Sequence, residues 1–348
     1  LDGSDDLGGA PVFNRSVVPD LSGCEDGGAA LNSRGNISRF TPHYSRLTSE
    51  GLGSCRICPH DCGKNRNHET GFCQAKAALK VNLAQLHFGE EPMLSGTRGS
   101  GTIFFSNCNL RCVYCQNYTI SQIGHGDEVS SEELVRMMLD LQGKGAHNIN
   151  FVTPSHYSLQ LVPVIKEARE QGLKIPIVWN SNAYDKVETL ALLDGLVDIY
   201  LPDLKYAHSV YALKYSSAKD YPAVSRAALK EMHDQAGKLQ VDEAGIAVKG
   251  LIIRLLVLPN GLSGTKDTLH WIAEELGRET HICLMAQYYP AHQASKYPEL
   301  ARGITEREYD AVCECALALD LPNVLYQELS CSADWTPDFK ETRNCLNG

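Results

Sequence analysis

Beyond Gly101, short apolar runs alternate with longer stretches in which apolar residues recur at i, i+3 and i+4. The runs predict strands over 102–106, 149–152, 175–180, 199–201, 250–258, 282–287 and 324–328. The periodic stretches predict helices over 131–143, 159–171, 186–193, 265–276 and 305–319. Two of these helices carry start signals: Ser130 or Ser131 precedes Glu132 and Glu133, and Thr305 opens a T-x-x-E capping box with Glu308. A short strand is predicted over 81–87, followed by the turn-rich SGTRGSG of 95–101. The stretch 206–247 is more polar and reads as helices plus a surface excursion. Strands alternating with helices imply parallel βαβ units, and six or seven units exceed what a small open sheet needs. The pattern therefore predicts an α/β chain folded as a full or partial (β/α) barrel, with chemistry at the C-terminal ends of its strands.

Composition fits that reading. Of 348 residues, 43% are hydrophobic and 21% charged, which excludes collagen-like, coiled-coil and wholly disordered chains. Residues 1–45 are rich in Gly, Ser, Asp and Asn and read as an irregular or disordered extension. A cysteine-rich segment is expected over 46–95, the barrel over 96–330 and a tail over 331–348. The net charge of -10 gives no global pull toward phosphate backbones, so no nucleic-acid partner is expected. No apolar run approaches a membrane span, so none is expected with a bilayer either. The chain opens on Leu1 rather than Met, without a signal-peptide core and with several early acidic residues. A cytoplasmic location is the expectation.

Cysteine changes the picture. The count is 13, odd and in a chain too long to need a disulfide framework, and seven of them fall between Cys55 and Cys115. That clustering favours a reducing compartment and thiolate–metal chemistry. At the end of the first barrel strand stands SNCNLRCVYCQN, in which Cys108, Cys112 and Cys115 form a C-x3-C-x2-C array. Three protein thiolates on a [4Fe–4S] cubane leave one iron open, whereas a structural zinc site wants a fourth ligand. Upstream, Cys55, Cys58, Cys62 and Cys73 form a C-x2-C-x3-C-x10-C quartet, which suits zinc and a second iron–sulfur cluster equally well. Pro59, Gly63 and Gly71 supply the tight turns such a site needs. Cys24, Cys283, Cys313, Cys315, Cys331 and Cys345 form no convincing set and read as core or incidental thiols. No Walker loop, dinucleotide fingerprint or Ser-His-Asp pattern competes for the centre of the chain.

With these motifs in view, the sequence resembles the radical S-adenosylmethionine (SAM) enzymes. Within them, the C-Q-N ending at Cys115-Gln116-Asn117 resembles activators of glycyl-radical enzymes. The run from CRICPHDCG through SGTRGSGTIFFSNCNLRCVYCQNY, NINFVTPSHY, VWNSNAY and YLPDLKY is similar to the pyruvate formate-lyase activating enzyme-like group, over about 55–329. The resemblance implies a partial (β/α)6 TIM-like barrel, a [4Fe–4S] cluster on Cys108, Cys112 and Cys115, and SAM on the open iron. Reductive cleavage would give a 5′-deoxyadenosyl radical that abstracts hydrogen from a substrate, a glycyl-radical enzyme first among them. Another protein, peptide or small molecule is the alternative, and a non-catalytic metal-binding scaffold is the reading from a different class. Reduced flavodoxin or ferredoxin is the implied electron donor. Tyr114 and Asn117 are implied near SAM. The group's usual Gly-Gly-Glu run is replaced by 153–156, so its role falls to Thr153, Ser155 and His156. Asn180, Asn182, the D-x-K pair Asp203 and Lys205, Arg254 and Gln287 complete the expected cofactor-binding set, with His292 close behind. Arg254, inside an apolar strand, requires an anionic partner: Asp203 or the SAM carboxylate. Asn107 stands where the group usually has Gly, and Asn is among the residues that best tolerate φ > 0.

Overall fold

The computed structural model describes residues 51–329, 337 and 339. The 1–45 extension, nearly all of the 331–348 tail, and Cys24, Cys331 and Cys345 lie outside the described residues. Strands are β1 (Leu79–His87), β2 (Ser100–Phe105), β3 (Asp127–Val129), β4 (Ile149–Val152), β5 (Ile177–Asn180), β6 (Ile199–Tyr200), β7 (Gln240–Val241), β8 (Ala247–Leu256), β9 (His281–Met285) and β10 (Val324–Tyr326). The helices of eight residues or more are α1 (Ser131–Gly143), α2 (Ser158–Glu170), α3 (Ser209–Ser216), α4 (Tyr221–Ala236), α5 (Thr265–Glu275) and α6 (Glu306–Ala318).

The sheet runs β10-β9-β8-β6-β5-β4-β2-β1-β3. Every pair from β2 to β10 along that path is parallel, whereas β1 on β2, β3 on β1 and β7 on β8 are antiparallel. Seven parallel strands in chain order are joined by six crossovers, as the (β/α)6 reading expects. The outer strands β10 and β3 do not pair, so the barrel is partial. INFV in β4 and IVWN in β5 are buried at every position, because one face packs inside and helices cover the other. The helices bury one stripe each; in α1 it is Leu134, Val135, Met138 and Leu141. Both expected capping boxes form, Ser130 with Glu133 and Thr305 with Glu308, each satisfying two otherwise orphaned N–H groups.

Three features differ from the sequence expectation. The strands β3 and β7 carry no apolar signal; their exposed residues are strand because a neighbouring edge accepts them. The helix expected over 186–193 breaks into Val187–Leu190 and a 3-10 turn, Ala191–Leu193. The larger correction concerns 206–247. The expected helices form as α3 and α4 and the exposed stretch is confined to 240–245, but Tyr206, Tyr215 and Tyr221 are buried, so most of the segment belongs to the barrel. Upstream, Cys73, Ala75 and Leu79 join the barrel's own hydrophobic core, so the cysteine-rich segment is fastened to the barrel. Among the described residues, no helix is long and apolar enough to cross a membrane.

Candidate functional site

The loop after β2 turns at Asn107, whose φ of +72° is left-handed and suits Asn best after Gly. Its N–H donates to the Ile120 carbonyl at 2.8 Å, which closes the loop that carries the three cysteines. Neighbouring elements hold this loop by its backbone: Arg111 N–H donates to Ser216 O at 2.9 Å, and Val113 N–H to Tyr215 O at 2.8 Å. Asn109 is fully buried, with Nδ2 on Tyr184 O at 2.8 Å and Oδ1 accepting from Asn182 Nδ2 at 2.7 Å.

Each of the three sulfurs lies in a hydrogen bond. Cys108 Sγ accepts from Leu110 N–H at 3.3 Å and faces Asn182 Nδ2 at 3.4 Å. Ser216 Oγ donates to Cys112 Sγ at 3.0 Å, and Ser121 Oγ lies 3.1 Å from Cys115 Sγ. Burial pushes Cys108 up to about 12 and Cys112 up to about 11, and it raises Cys115. Without a cation these thiols stay neutral; a bound metal supplies the charge that deprotonates them.

The sulfurs face a cavity, open to solvent, at the C-terminal ends of the strands. Cys108, Cys112, Cys115, Tyr114, Asn117 and Gln287 line it on the loop side and beyond β9. Thr153, Asn180, Asn182, Asp203, Lys205 and Arg254 line the strand-end side. Thr153 holds a φ of +58°, a conformation that costs a β-branched residue about 1–3 kcal/mol; its N–H is fixed on Asn180 O at 2.9 Å.

Three expected residues lie elsewhere. His156 is buried outside the cavity, with Nε2 on the Ser106 carbonyl at 2.9 Å, and burial lowers it to about 3, so it is neutral. Ser155 opens the same buried 3-10 turn and does not line the cavity. His292 stacks on Tyr118 at 4.9 Å, also outside it.

A buried charge network forms the cavity floor. Arg254, on β8, donates from Nε to Asp203 Oδ1 at 2.6 Å, from Nη1 to Glu90 Oε2 at 3.0 Å and from Nη2 to Asn180 Oδ1 at 2.7 Å. Asp203 is thus the anionic partner that Arg254 requires, and Glu90 is a second. Lys205 Nζ reaches the other Asp203 oxygen at 3.0 Å. Burial alone would raise Asp203, but Arg254 and Lys205 outweigh it and hold the carboxyl below its usual range. Burial would lower Lys205, but Asp203 outweighs that and raises it. Glu90 is raised by burial, with Arg254 opposing; Glu91, beside it, is pushed up to about 7 by burial.

The sequence reading missed Glu90, Ser121, Ser216 and Tyr221. The Tyr221 hydroxyl accepts from Lys205 N–H at 2.9 Å and lies 2.8 Å from Asn182 O and 3.0 Å from Asp203 O, tying two strand ends together. Only Glu90 left a signal, as half of a carboxylate pair just before a turn.

The quartet sits apart. Cys55 N–H donates to Lys64 O and Gly63 N–H to Cys55 O, both at 2.9 Å, so three of its cysteines lie on one small hairpin. Cys73 lies on a separate turn closed by Gln74 N–H on Gly71 O at 2.9 Å. None of the four lines the cavity, and every described cysteine is a free thiol. Among the described residues, no three His, Cys, Asp or Glu side chains already stand in a coordination geometry. The trio's donor set still fits an iron–sulfur group with an open position: three soft ligands from one loop, hydrogen-bonded sulfurs and one shared cavity.

The family model described as Radical SAM superfamily matches residues 102–241. Uncharacterized protein MJ0674 of Methanocaldococcus jannaschii is 34% identical over 275 residues, 76% of this chain and 74% of that protein. Pyruvate formate-lyase-activating enzyme of Clostridium pasteurianum is 28% identical over 130 residues, 36% of this chain and 53% of that enzyme. Among solved structures, methylornithine synthase (PylB) overlays with a TM-score of 0.46 at 14% identity, covering 90% of this chain and 86% of that one.

Proposed function

The chain belongs to the radical SAM superfamily, and on that premise we propose that it activates a glycyl-radical enzyme by abstracting hydrogen from it. When bound, a [4Fe–4S] cluster on Cys108, Cys112 and Cys115 supplies the open iron and the electron for reductive cleavage of SAM to a 5′-deoxyadenosyl radical. The remaining work falls to this chain's side chains. Lys205, whose one ion-pair partner among the described residues is Asp203, is the cation left to meet the SAM carboxylate, because Arg254 is already engaged by Asp203, Glu90 and Asn180. Thr153, Asn180 and Asn182 offer polar groups at the strand ends, and Tyr114, packed on Tyr288, offers an aromatic face. One observation carries the reading: three hydrogen-bonded sulfurs from one loop face the Asp203–Lys205–Arg254 network across a single open cavity.

The glycyl-radical substrate is supported by the C-Q-N and D-x-K elements and by the partial likeness to the activating enzyme. A second reading, the same radical acting on another protein, peptide or small molecule, is favoured by the shortness of that likeness, 36% of the chain. A reduced flavodoxin or ferredoxin is the proposed electron donor, and the cytoplasm the proposed location. The test is anaerobic: reconstitute, reduce with dithionite, add SAM and measure 5′-deoxyadenosine. Product from wild type and none from Cys112→Ala is expected; no product from loaded, reduced wild type would sink the reading. A glycyl-radical doublet in electron paramagnetic resonance, on a candidate enzyme incubated with the chain, separates the two substrate readings.

A further inference from the structure

The upstream quartet has its own electrostatic signature, carried by Arg66. This arginine is 0% exposed, and its nearest polar partners are carbonyls: Nη1 donates to His156 O at 2.5 Å and Nη2 to Lys76 O at 2.6 Å. Its Nε is buried with no hydrogen-bond partner, and no carboxylate takes a hydrogen bond from it among the described residues. A buried guanidinium without an anion is costly, and a cation there calls for a negative partner. Gly71 marks where that partner belongs. A Cβ on Gly71 would meet Cys73 Sγ at 3.3 Å, Cys62 Sγ at 3.6 Å and Arg66 Cδ at 3.8 Å. Two thiols and the arginine stem thus converge on one glycine, with Cys55 and Cys58 on the adjoining hairpin.

We propose that Cys55, Cys58, Cys62 and Cys73 bind one zinc ion as a closed tetrathiolate, and that Arg66 is its built-in counter-charge. On binding, four thiols release their protons to solvent, and four thiolates around a divalent ion leave two net negative charges; no electron moves. Tetrahedral Zn–S bonds of about 2.3 Å bring sulfurs to about 3.8 Å of one another, and Cys73 Sγ and Cys62 Sγ lie 3.3 and 3.6 Å from one point beside Gly71. None of the four lines that cavity; Cys55, Cys58 and Cys73 are buried and Cys62 is half-buried, which suits a structural site.

The site's task follows from what its segment touches. His60, between Cys58 and Cys62, places Nε2 2.7 Å from Asn109 O and stacks on Phe72 at 3.7 Å. Arg111 Nη2 donates to Phe72 O at 2.5 Å. Arg66 holds the His156 carbonyl, and His156 Nε2 lies 2.9 Å from Ser106 O. Three links therefore run from the quartet's segment to 106–111, the start of the cysteine loop at the barrel mouth. Zinc braces that loop and does not relay electrons.

The proposal does not rest on radical chemistry, and its test is metal analysis of the full chain purified from cells supplied with zinc and iron. A Cys108→Ala, Cys112→Ala, Cys115→Ala triple variant should keep one zinc per chain, and Cys73→Ser should lose it. To separate zinc loss from unfolding of the segment in Cys73→Ser, wild type is titrated in parallel with a mercurial thiol reagent in the presence of a zinc-binding dye. Zinc released in step with four thiols supports the site; no zinc, or iron with sulfide in the triple variant, overturns it. Zinc loss to a chelator should be at least about tenfold faster in Arg66→Met than in Arg66→Lys, and equal rates would overturn the counter-charge. Hydrogen exchange of 106–117 in the triple variant should quicken at least about tenfold once zinc is stripped; unchanged exchange would overturn the brace.

Discussion

The two cysteine sets place the same ligand atom in opposite surroundings. The trio comes from one loop, faces a cavity open to solvent, and has a hydrogen bond on every sulfur beside a floor of both charge signs. The quartet comes from a hairpin and a turn, does not line that cavity, and has the buried cation Arg66 for company. Ligand count alone does not separate a reactive centre from a sealed one; the enclosure and the charge around the sulfurs do.

The strongest way to break this contrast is Cys112→Ala. We expect 5′-deoxyadenosine formation to fall to the cluster-free background while metal at the quartet is unchanged; metal lost from both sets would mean that they form one site. Next in size is Arg254→Met, which strands the Glu90 and Asp203 carboxyls under the open cavity. A loss of about 3–5 kcal/mol is expected by urea unfolding, and a loss below about 1 kcal/mol would show that the floor is not a closed network.

A third test concerns Glu91. The folded state raises this carboxyl from 4.5 to about 7, so between those values the native chain holds a proton that the unfolded chain has released. Stability from this group therefore falls as pH rises from 4.5 to about 7, by roughly 3 kcal/mol at most. Glu91→Gln should remove that fall, and parallel pH series for the two proteins would contradict the assignment. The smallest effect expected is that of Ser216→Ala, which deletes one hydrogen bond to Cys112 Sγ. A net hydrogen bond of about 1 kcal/mol corresponds to a shift of about 40 mV toward more negative potential in the reconstituted protein. A positive shift would mean that Ser216 does not donate to that sulfur.

Much of the fold was legible because each signal was local. The apolar run 149–152 became β4 with the same bounds, and the periodic stretch 131–143 became α1 with its capping box. Of the expected site residues, those one to three positions past a strand end, such as Thr153, Asn182 and Asp203, do line the cavity, because a parallel strand delivers its next residues to the same rim. His156 lies four positions past β4, inside a 3-10 turn, and its ring meets the backbone at Ser106 instead. In 206–247 the apolar positions are largely Ala and Tyr, and nothing local says that the tyrosine rings are buried.

The sequence by itself determined the alternation of strand and helix, the three-cysteine loop after the first barrel strand and the quartet ahead of it, since each is a matter of spacing within a few residues. Only the tertiary structure decided which groups surround those sulfurs. Ser216 meets Cys112 across 104 residues, and Glu90 meets Arg254 across 164. Such pairings depend on how successive crossovers wind the strands side by side, and that winding, not local preference, brings a hydroxyl or a carboxylate to the barrel mouth.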